Sequence, residues 1–303
     1  MSMNEQAAAG AEASQWTIIK LIRWVTSYLK SYEIDSPRAT GEILLAHALQ
    51  LERIDLYLKY DQPLVSEELQ IFKSLIKRRV RREPVAYILG AKEFWSLDLE
   101  VNPAVLIPRP ETECLVETAL GLMGRQIPGP QQRILDLGTG SGAIVLALAS
   151  QQPRHMYFAS DRFQTAVEMA CRNAGRHGLS SSIHFFVGDW FSALNSTKTV
   201  FDMIVSNPPY VPSGAISGLQ PEIHQYEPVA ALEGDTDGLA CYRSIIGAAH
   251  NYLKPGGALL LEIGHDQRED IRQIAAVDDR YEKFICSKDY SGYDRVISMR
   301  RRS

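Results

Sequence analysis

The sequence has little that would anchor the chain in a membrane, cross-link it or coat it with charge of one sign. Its 303 residues contain no run of about 18 apolar residues, which excludes a hydrophobic helix long enough to span a bilayer. Cys114, Cys171, Cys241 and Cys286 stand singly, with no Cys-x-x-Cys pair and no cluster of histidines beside them. Neither a disulfide framework nor a metal site is therefore expected, and the thiols read as reduced and buried. The first basic residue is Lys20, so MSMNEQAAAGAEASQ lacks the cations of a secretory or transit peptide. It reads as a disordered tail over residues 1–14, and a cytoplasmic protein is the expectation. A net charge of -4 and a pI near 6.0 exclude a protein that coats nucleic acid through a broad basic surface. One local exception exists: Lys73, Lys77, Arg78, Arg79, Arg81 and Arg82 crowd a single predicted helix end. The helix dipole favours cations there, so they read either as a solvated face or as a patch that meets an acidic protein or RNA.

What is present describes a globular chain with room for about two domains: 45% hydrophobic residues, 22% charged residues and a mean hydropathy of -0.15. Apolar residues recur at helical spacing between Trp16 and Tyr32. A second helix should begin with Ser36 as N-cap and Pro37 at its first position, and a third with Ser66 ahead of Glu67 and Glu68, ending before Pro84. Residues 15–84 thus read as a small helical domain without a catalytic constellation, in which His47 packs. Residues 85–108 mix aromatic and β-branched residues around Gly90 and read as a β-hairpin linker. In Leu106-Ile107-Pro108-Arg109-Pro110-Glu111-Thr112-Glu113 the prolines stiffen a loop and Pro110 can begin a helix.

Beyond a break at Pro128-Gly129-Pro130, residues up to 303 alternate strand and helix: RILDLG, GAIVLALASQ, MYFASD, RFQTAVEMACRNAGRHG, IHFFVGD, FDMIVSN, DGLACYRSIIGAAHNYL and GALLLEIG, then REDIRQIAA, KFICSK and DRVISMR. This alternation predicts a doubly wound α/β sheet with ligands at the carboxyl ends of its strands. The first strand runs into Gly138-Thr139-Gly140-Ser141-Gly142, whose glycines allow a tight turn and close approach to a ligand. Asp161 ends the next strand and suits a pair of ribose hydroxyls. Asp189, followed by Trp190, suits the amino group and the face of a nucleobase. These positions leave no place for a pyrophosphate, which favours S-adenosylmethionine over a dinucleotide.

The chemistry is expected at Asn207-Pro208-Pro209-Tyr210, where the FDMIVS run ends. The prolines donate no N–H and fix the backbone, so the stretch presents acceptors. The Asn207 carboxamide oxygen and the Pro208 carbonyl can each take one hydrogen of a planar –NH2, with Asn207 also near the cofactor and Tyr210 walling the slot. A rigid turn after a strand is the plainer reading of the same four residues.

Taken together, RREPVAYILGAKEF, LIPRPETE, ILDLGTGSGAI, GDW, SNPPYVP, YEPVAALEGDTDGL, LKPGGALLLEIG and DYSGYDRV resemble the release factor glutamine methyltransferases, the PrmC/HemK family. The resemblance covers nearly everything after residue 30. It implies a class I S-adenosylmethionine-dependent fold, Rossmann-like with a seven-stranded, mostly parallel sheet over residues 109–303. It also implies an N-terminal domain that helps grip the substrate; a monomer without membrane contact or a direct nucleic-acid substrate is the separate expectation from the sequence. The implied substrate is the glutamine of a Gly-Gly-Gln loop in a class I peptide chain release factor, methylated on its amide nitrogen. A glutamine of a large-subunit ribosomal protein, a nucleic-acid amino group, and a silent S-adenosylmethionine-binding adaptor are the competing readings. Two positions depart from the family pattern: Arg162-Phe163 follows Asp161 where a small hydroxyl residue is common, and Gly234-Asp235 replaces the commoner Gly-Gly.

Overall fold

The computed structural model describes residues 16–124, 130–197, 200–277 and 279–303. The tail expected over residues 1–14 and the Pro128-Gly129 break lie outside the described residues. The chain divides into two compact units after Leu89.

The first unit is helical: α1 (Ile18–Ser31), α2 (Pro37–Leu49), α3 (Asp55–Leu58), α4 (Ser66–Arg79) and α5 (Val85–Leu89). Ile18, Leu21, Ile22, Val25 and Leu29 form one buried stripe of α1, the 3.6-residue period at work. The stripe packs with Leu44 and Leu45 of α2 and with Phe72, Leu75 and Ile76 of α4. Two cap expectations are corrected. Ser36 does precede Pro37 but lies at φ 47° with no side-chain cap bond. Ser66 is itself the first residue of α4, and the exposed start of that helix is closed by Glu68, which accepts the Val65 N–H at 2.8 Å.

The basic helix end is partly spent inside its own unit. Arg78 pairs with Glu83 at 2.5 Å, and Arg79 is only 5% exposed. His47, expected to pack, is exposed. Among the cysteines Cys114 alone is buried; Cys171 is exposed, and all are free.

The second unit opens with a hairpin of β1 (Ala91–Phe94) and β2 (Leu97–Glu100). Residues 85–89, read with the hairpin, instead form α5, because the Pro84 carbonyl accepts the Tyr87 and Ile88 N–H groups and starts a turn of helix. The hairpin turns at Trp95-Ser96, both at positive φ (53° and 60°), which gives the strands a two-residue connection. Glu113 and Glu93 accept the two exposed N–H groups of that turn, at 3.0 and 2.7 Å. The hairpin is no loose linker: Phe94 and Leu99 are buried in the core, and the Asn173 side chain binds both the Glu100 backbone and the Ser141 carbonyl.

A 3-10 turn at Pro110–Thr112 leads into α6 (Glu113–Met123). There follow β3 (Arg133–Leu137), α7 (Ala143–Gln151), β4 (Met156–Asp161), α8 (Gln164–Arg176), β5 (Ile183–Val187) and β6 (Phe201–Ser206). The chain continues through α9 (Pro221–His224), α10 (Ala240–Ala249), β7 (Leu253–Glu262), α11 (Arg268–Ala276), β8 (Tyr281–Lys288) and β9 (Asp294–Arg301). The sheet is seven-stranded in the order β5-β4-β3-β6-β7-β9-β8. Its first five strands run parallel, and β9 is antiparallel to both neighbours.

Strand residues alternate between two cores, as a period of two requires. Ile134, Met203, Val205 and Leu260 face α6 and α7, while Leu135, Ile204, Leu259 and Leu261 face α10 and α11. Both faces of the sheet are therefore covered, and its strand ends are where polar groups emerge. Among the described residues no helix is long and apolar enough to cross a membrane.

Candidate active site

Because β3 sits between β4 and β6, successive connections leave it in opposite directions and open a crevice at the carboxyl ends. Across those ends, in sheet order, stand Asp189 beyond β5, Asp161 on β4, the turn 138–142 after β3, Asn207 after β6 and Glu262 on β7. One cleft is lined by Gly138, Thr139, Gly140, Ser141, Asp161, Asp189, Trp190, Asn207 and Pro209. Phe163 lines it too and is 42% exposed, so it is no core residue. Gly142, Pro208 and Tyr210 fall outside its lining. Gly142 starts α7 at φ 86°, and a Cβ there would meet Leu146 Cδ1 at 3.0 Å and Ala170 Cβ at 3.2 Å, so turn geometry and helix packing both require glycine.

The acidic groups are held before any ligand arrives. Asp161 Oδ2 accepts the Gly140 N–H and Oδ1 the Phe163 N–H, both at 3.0 Å, which fixes the carboxylate and leaves its other lone pairs for hydroxyl donors. Burial nevertheless pushes its pKa above the usual carboxylate value. Asp136, fully buried beneath the turn, accepts the Thr139 hydroxyl at 2.7 Å on Oδ2, while Oδ1 has no hydrogen-bond partner among the described residues. Burial, with the Asp161 charge adding, raises it to about 7. Trp190 lies at φ 49°, with its ring edge 3.9 Å from where a Cβ on Gly138 would stand. Hydroxyl acceptors, aromatic walls and a backbone turn free of Cβ atoms at Gly138 and Gly140 form a donor and acceptor set that fits the nucleoside of S-adenosylmethionine.

Asn207 emerges from β6 with Nδ2 donating to Thr112 Oγ1 at 3.2 Å, so its carboxamide oxygen is the atom left for a ligand. The Tyr210 carbonyl accepts from Gln267 Nε2 at 3.1 Å, and Val211 joins Glu233 in a short bridge. Gly238 makes that packing possible: at φ 74°, its Cβ would fall 2.4 Å from the Tyr210 oxygen. Burial pushes the Tyr210 hydroxyl up to about 12, so it stays protonated. Asp235 adopts φ 71°, a conformation aspartate tolerates, and accepts the Thr236 N–H with its own side chain at 2.7 Å.

Three participants were not assigned from sequence. Thr112 lines the cleft and touches Asn207. Glu262 is fully buried beside it. Glu227, 4% exposed, accepts Arg109 Nη2 at 2.5 Å and the Ile107 N–H at 3.1 Å, tying the loop before α6 to the segment that carries Pro228, Ala230 and Ala231 on the cleft's rim. Arg109 thereby gains a role as a clasp between two loops. The only sequence signal for these residues was that they fall in LIPRPETE, YEPVAALEG and LLLEIG.

Known proteins similar to this chain were found at the level of family, sequence and fold. A family model described as the PrmC N-terminal domain matches residues 20–90, and one described as the methyltransferase small domain matches residues 116–219. The chain is 43% identical to a release factor glutamine methyltransferase of Geobacter sulfurreducens, over 94% of this chain and 97% of that one. It is also 43% identical to one of Salmonella typhimurium, over 86% of this chain and 91% of that one. Among solved structures, the hMettl16 catalytic domain in complex with the MAT2A 3'UTR hairpin 6 superposes with a TM-score of 0.55 at 15% identity, covering 69% of this chain and 76% of that one. That likeness concerns the fold alone.

Proposed function

The chain belongs to the family of release factor glutamine methyltransferases, and from that premise we propose that it methylates the side-chain amide nitrogen of the glutamine in the Gly-Gly-Gln loop of a class I peptide chain release factor. The methyl donor is S-adenosylmethionine, which supplies an electrophilic methyl group when bound. The observation that carries the reading is the position of Asn207: it follows the strand next to the glycine turn and gives Nδ2 to Thr112, while its Oδ1 has no hydrogen bond among the described residues.

An amide nitrogen is a poor nucleophile because its lone pair is delocalised, and no side chain of ordinary pKa removes its proton outright. Positioning must then supply most of the rate. Asn207 Oδ1 and the Pro208 carbonyl would accept the two amide hydrogens, orient the nitrogen and favour the positive charge that builds there during transfer. Pro209 and Tyr210 would wall the slot and exclude water. Asp161 would hold the ribose hydroxyls, Asp189 the adenine amine, and Trp190 the face of the base. The proton leaves the nitrogen only after transfer, to solvent.

Mass spectrometry of a purified class I release factor incubated with this protein and S-adenosylmethionine tests the reading. One added methyl on the loop glutamine, absent from a Gln→Ala loop variant, is the expected result. Methyl appearing instead on a large-subunit ribosomal protein would move the substrate, and none on either protein would refute the proposal.

A further inference from the structure

Asn207 is hydrogen-bonded to Thr112, whose hydroxyl neighbours a buried carboxylate. Asn207 Nδ2 donates to Thr112 Oγ1 at 3.2 Å, and the Thr112 hydroxyl in turn neighbours the Glu262 carboxylate. Thr112 is 4% exposed and Glu262 1%, so both are screened from bulk solvent. The placement follows from the sheet: Ser206 pairs with Leu261 across β6 and β7, which brings the residues that follow, Asn207 and Glu262, to the same level at the carboxyl end of the sheet.

A hydroxyl has one proton to give. While Glu262 is ionised it can only accept, so the Thr112 proton points at it and Thr112 can only accept from Asn207. The Asn207 –NH2 is then held inward and its oxygen faces the cleft. Once Glu262 is protonated, the acid can donate to Thr112, whose own proton becomes free to point at the Asn207 oxygen. The carboxamide then turns its –NH2 to the cleft, where it meets the substrate's –NH2 donor to donor.

We infer that Thr112 and Glu262 are positioning residues for the transfer: the Glu262 carboxylate orders the Thr112 hydroxyl so that Asn207 presents its oxygen to the substrate amide. This rests on the reading of Asn207 as the amide clamp. The surroundings make the switch accessible near neutrality. Burial pushes Glu262 up to about 7, opposed by the Thr112 hydrogen bond and by the charge of Arg295 on β9, with Glu111 pushing up and Arg109 pulling down from the loop before α6. Tyr210 after β6 and Tyr242 on α10 also face it, and both stay neutral phenols because burial raises them. Arg295 is itself engaged by Asp289 at 3.1 Å, and Glu262 Oε2 has no hydrogen-bond partner among the described residues.

The test is steady-state methylation of the release factor across about pH 6 to 9 by the wild type, Thr112→Val, Thr112→Ser and Glu262→Gln, with S-adenosylmethionine affinity titrated alongside. Wild-type kcat should fall on the acid side of about pH 7 with the slope of one proton. Thr112→Val should lower kcat about 10- to 100-fold while KM for the release factor and cofactor affinity stay within about threefold, and Thr112→Ser should recover most of the loss. Glu262→Gln, whose carbonyl accepts the Thr112 proton at every pH, should lose the acid limb. Wild-type kcat in Thr112→Val, or an acid limb that survives in Glu262→Gln, overturns the inference alone. Should Thr112→Val fail to fold, Thr112→Ser and the Glu262→Gln profile still decide it. A wild type that leaves the release factor unmethylated overturns the proposed function and this inference with it.

Discussion

Glu42 in the helical unit and Glu262 in the sheet unit are both essentially inaccessible, at 0% and 1% exposure, yet their surroundings differ in kind. Glu42 receives Arg38 Nε at 2.8 Å, Arg53 Nη2 at 2.6 Å and the Tyr57 hydroxyl. Burial pushes its pKa up, but those hydrogen bonds outweigh it and hold the carboxyl below the ordinary glutamate value. Glu262 neighbours the Thr112 hydroxyl and is pushed up to about 7, and Asp136 under the glycine turn, bonded to Thr139, is pushed there too. A carboxylate closed off by cations is architecture. Carboxylates buried with so few partners are costly to ionise, and both lie at the strand ends that line the cleft, where perturbed groups gather when a site needs them.

From that contrast, function and stability should separate between the two kinds of position. The largest effect is expected at Asn207→Ala: kcat should fall about 10²- to 10³-fold, the scale of removing one oriented group at a developing charge, while the fold and cofactor binding persist. Turnover comparable to wild type would break the comparison at its functional end. Glu42→Ala should instead lower stability by about 2 to 3 kcal/mol in denaturant titration, below the full cost of breaking a buried pair because the two arginines are more than half exposed and rehydrate. Cofactor affinity should not move with it. Asp161→Ala falls between: it should weaken S-adenosylmethionine binding by about 1 to 3 kcal/mol in calorimetry, since the variant loses both the ribose acceptor and the clamp on Gly140 and Phe163. Unchanged affinity would remove Asp161 from the cofactor site.

The same contrast explains which parts of the molecule were legible in the sequence. The sheet unit was readable because apolar runs with a period of two or continuous burial end in Gly138, Asp161, Asp189 and Asn207, and strand ends are where such a fold binds ligands. The alternation of helix and strand then fixed which ends are neighbours. Contacts between distant segments were not readable. Thr112 lies 95 residues from Asn207, and Arg109 lies 118 from Glu227; nothing local distinguishes either from surface polar residues. In the helical unit, α3 is four residues long and carries no periodicity to detect. Arg79, one of six clustered cations, turns inward, and His47 on an apolar helix turns outward, because each sits on the face opposite to the one its composition suggested. The starts of α2 and α4 were placed within a residue, while their capping groups were not, since Glu68 did the work expected of Ser66.

The smallest effect tests the comparison through pH. In the folded chain Asp136 titrates near 7, against an ordinary aspartate value of 3.8. Between those values the folded state binds a proton that the unfolded state has released, so stability falls as pH rises through the window and the penalty stands in full above about 7. Asp136→Asn carries no charge at any pH and can still accept the Thr139 hydroxyl. It should be more stable than wild type by about 1 to 2 kcal/mol at pH 8, less than the full shift implies because the amide brings two hydrogens of its own to be satisfied, and the gain should vanish toward pH 4. Glu42 has the opposite sign: its folded pKa is depressed, so its contribution is complete above the ordinary glutamate value and is lost as pH falls below it. Thermal midpoints at pH 8 and pH 5 for Asp136→Asn and Glu42→Gln should therefore behave differently, the first variant's gain over wild type shrinking from pH 8 to pH 5 while the second's loss stays nearly the same at both. An Asp136→Asn variant that is less stable than wild type at pH 8 would mean that the carboxylate is as well partnered in solution as Glu42, and the two kinds of buried acid would collapse into one.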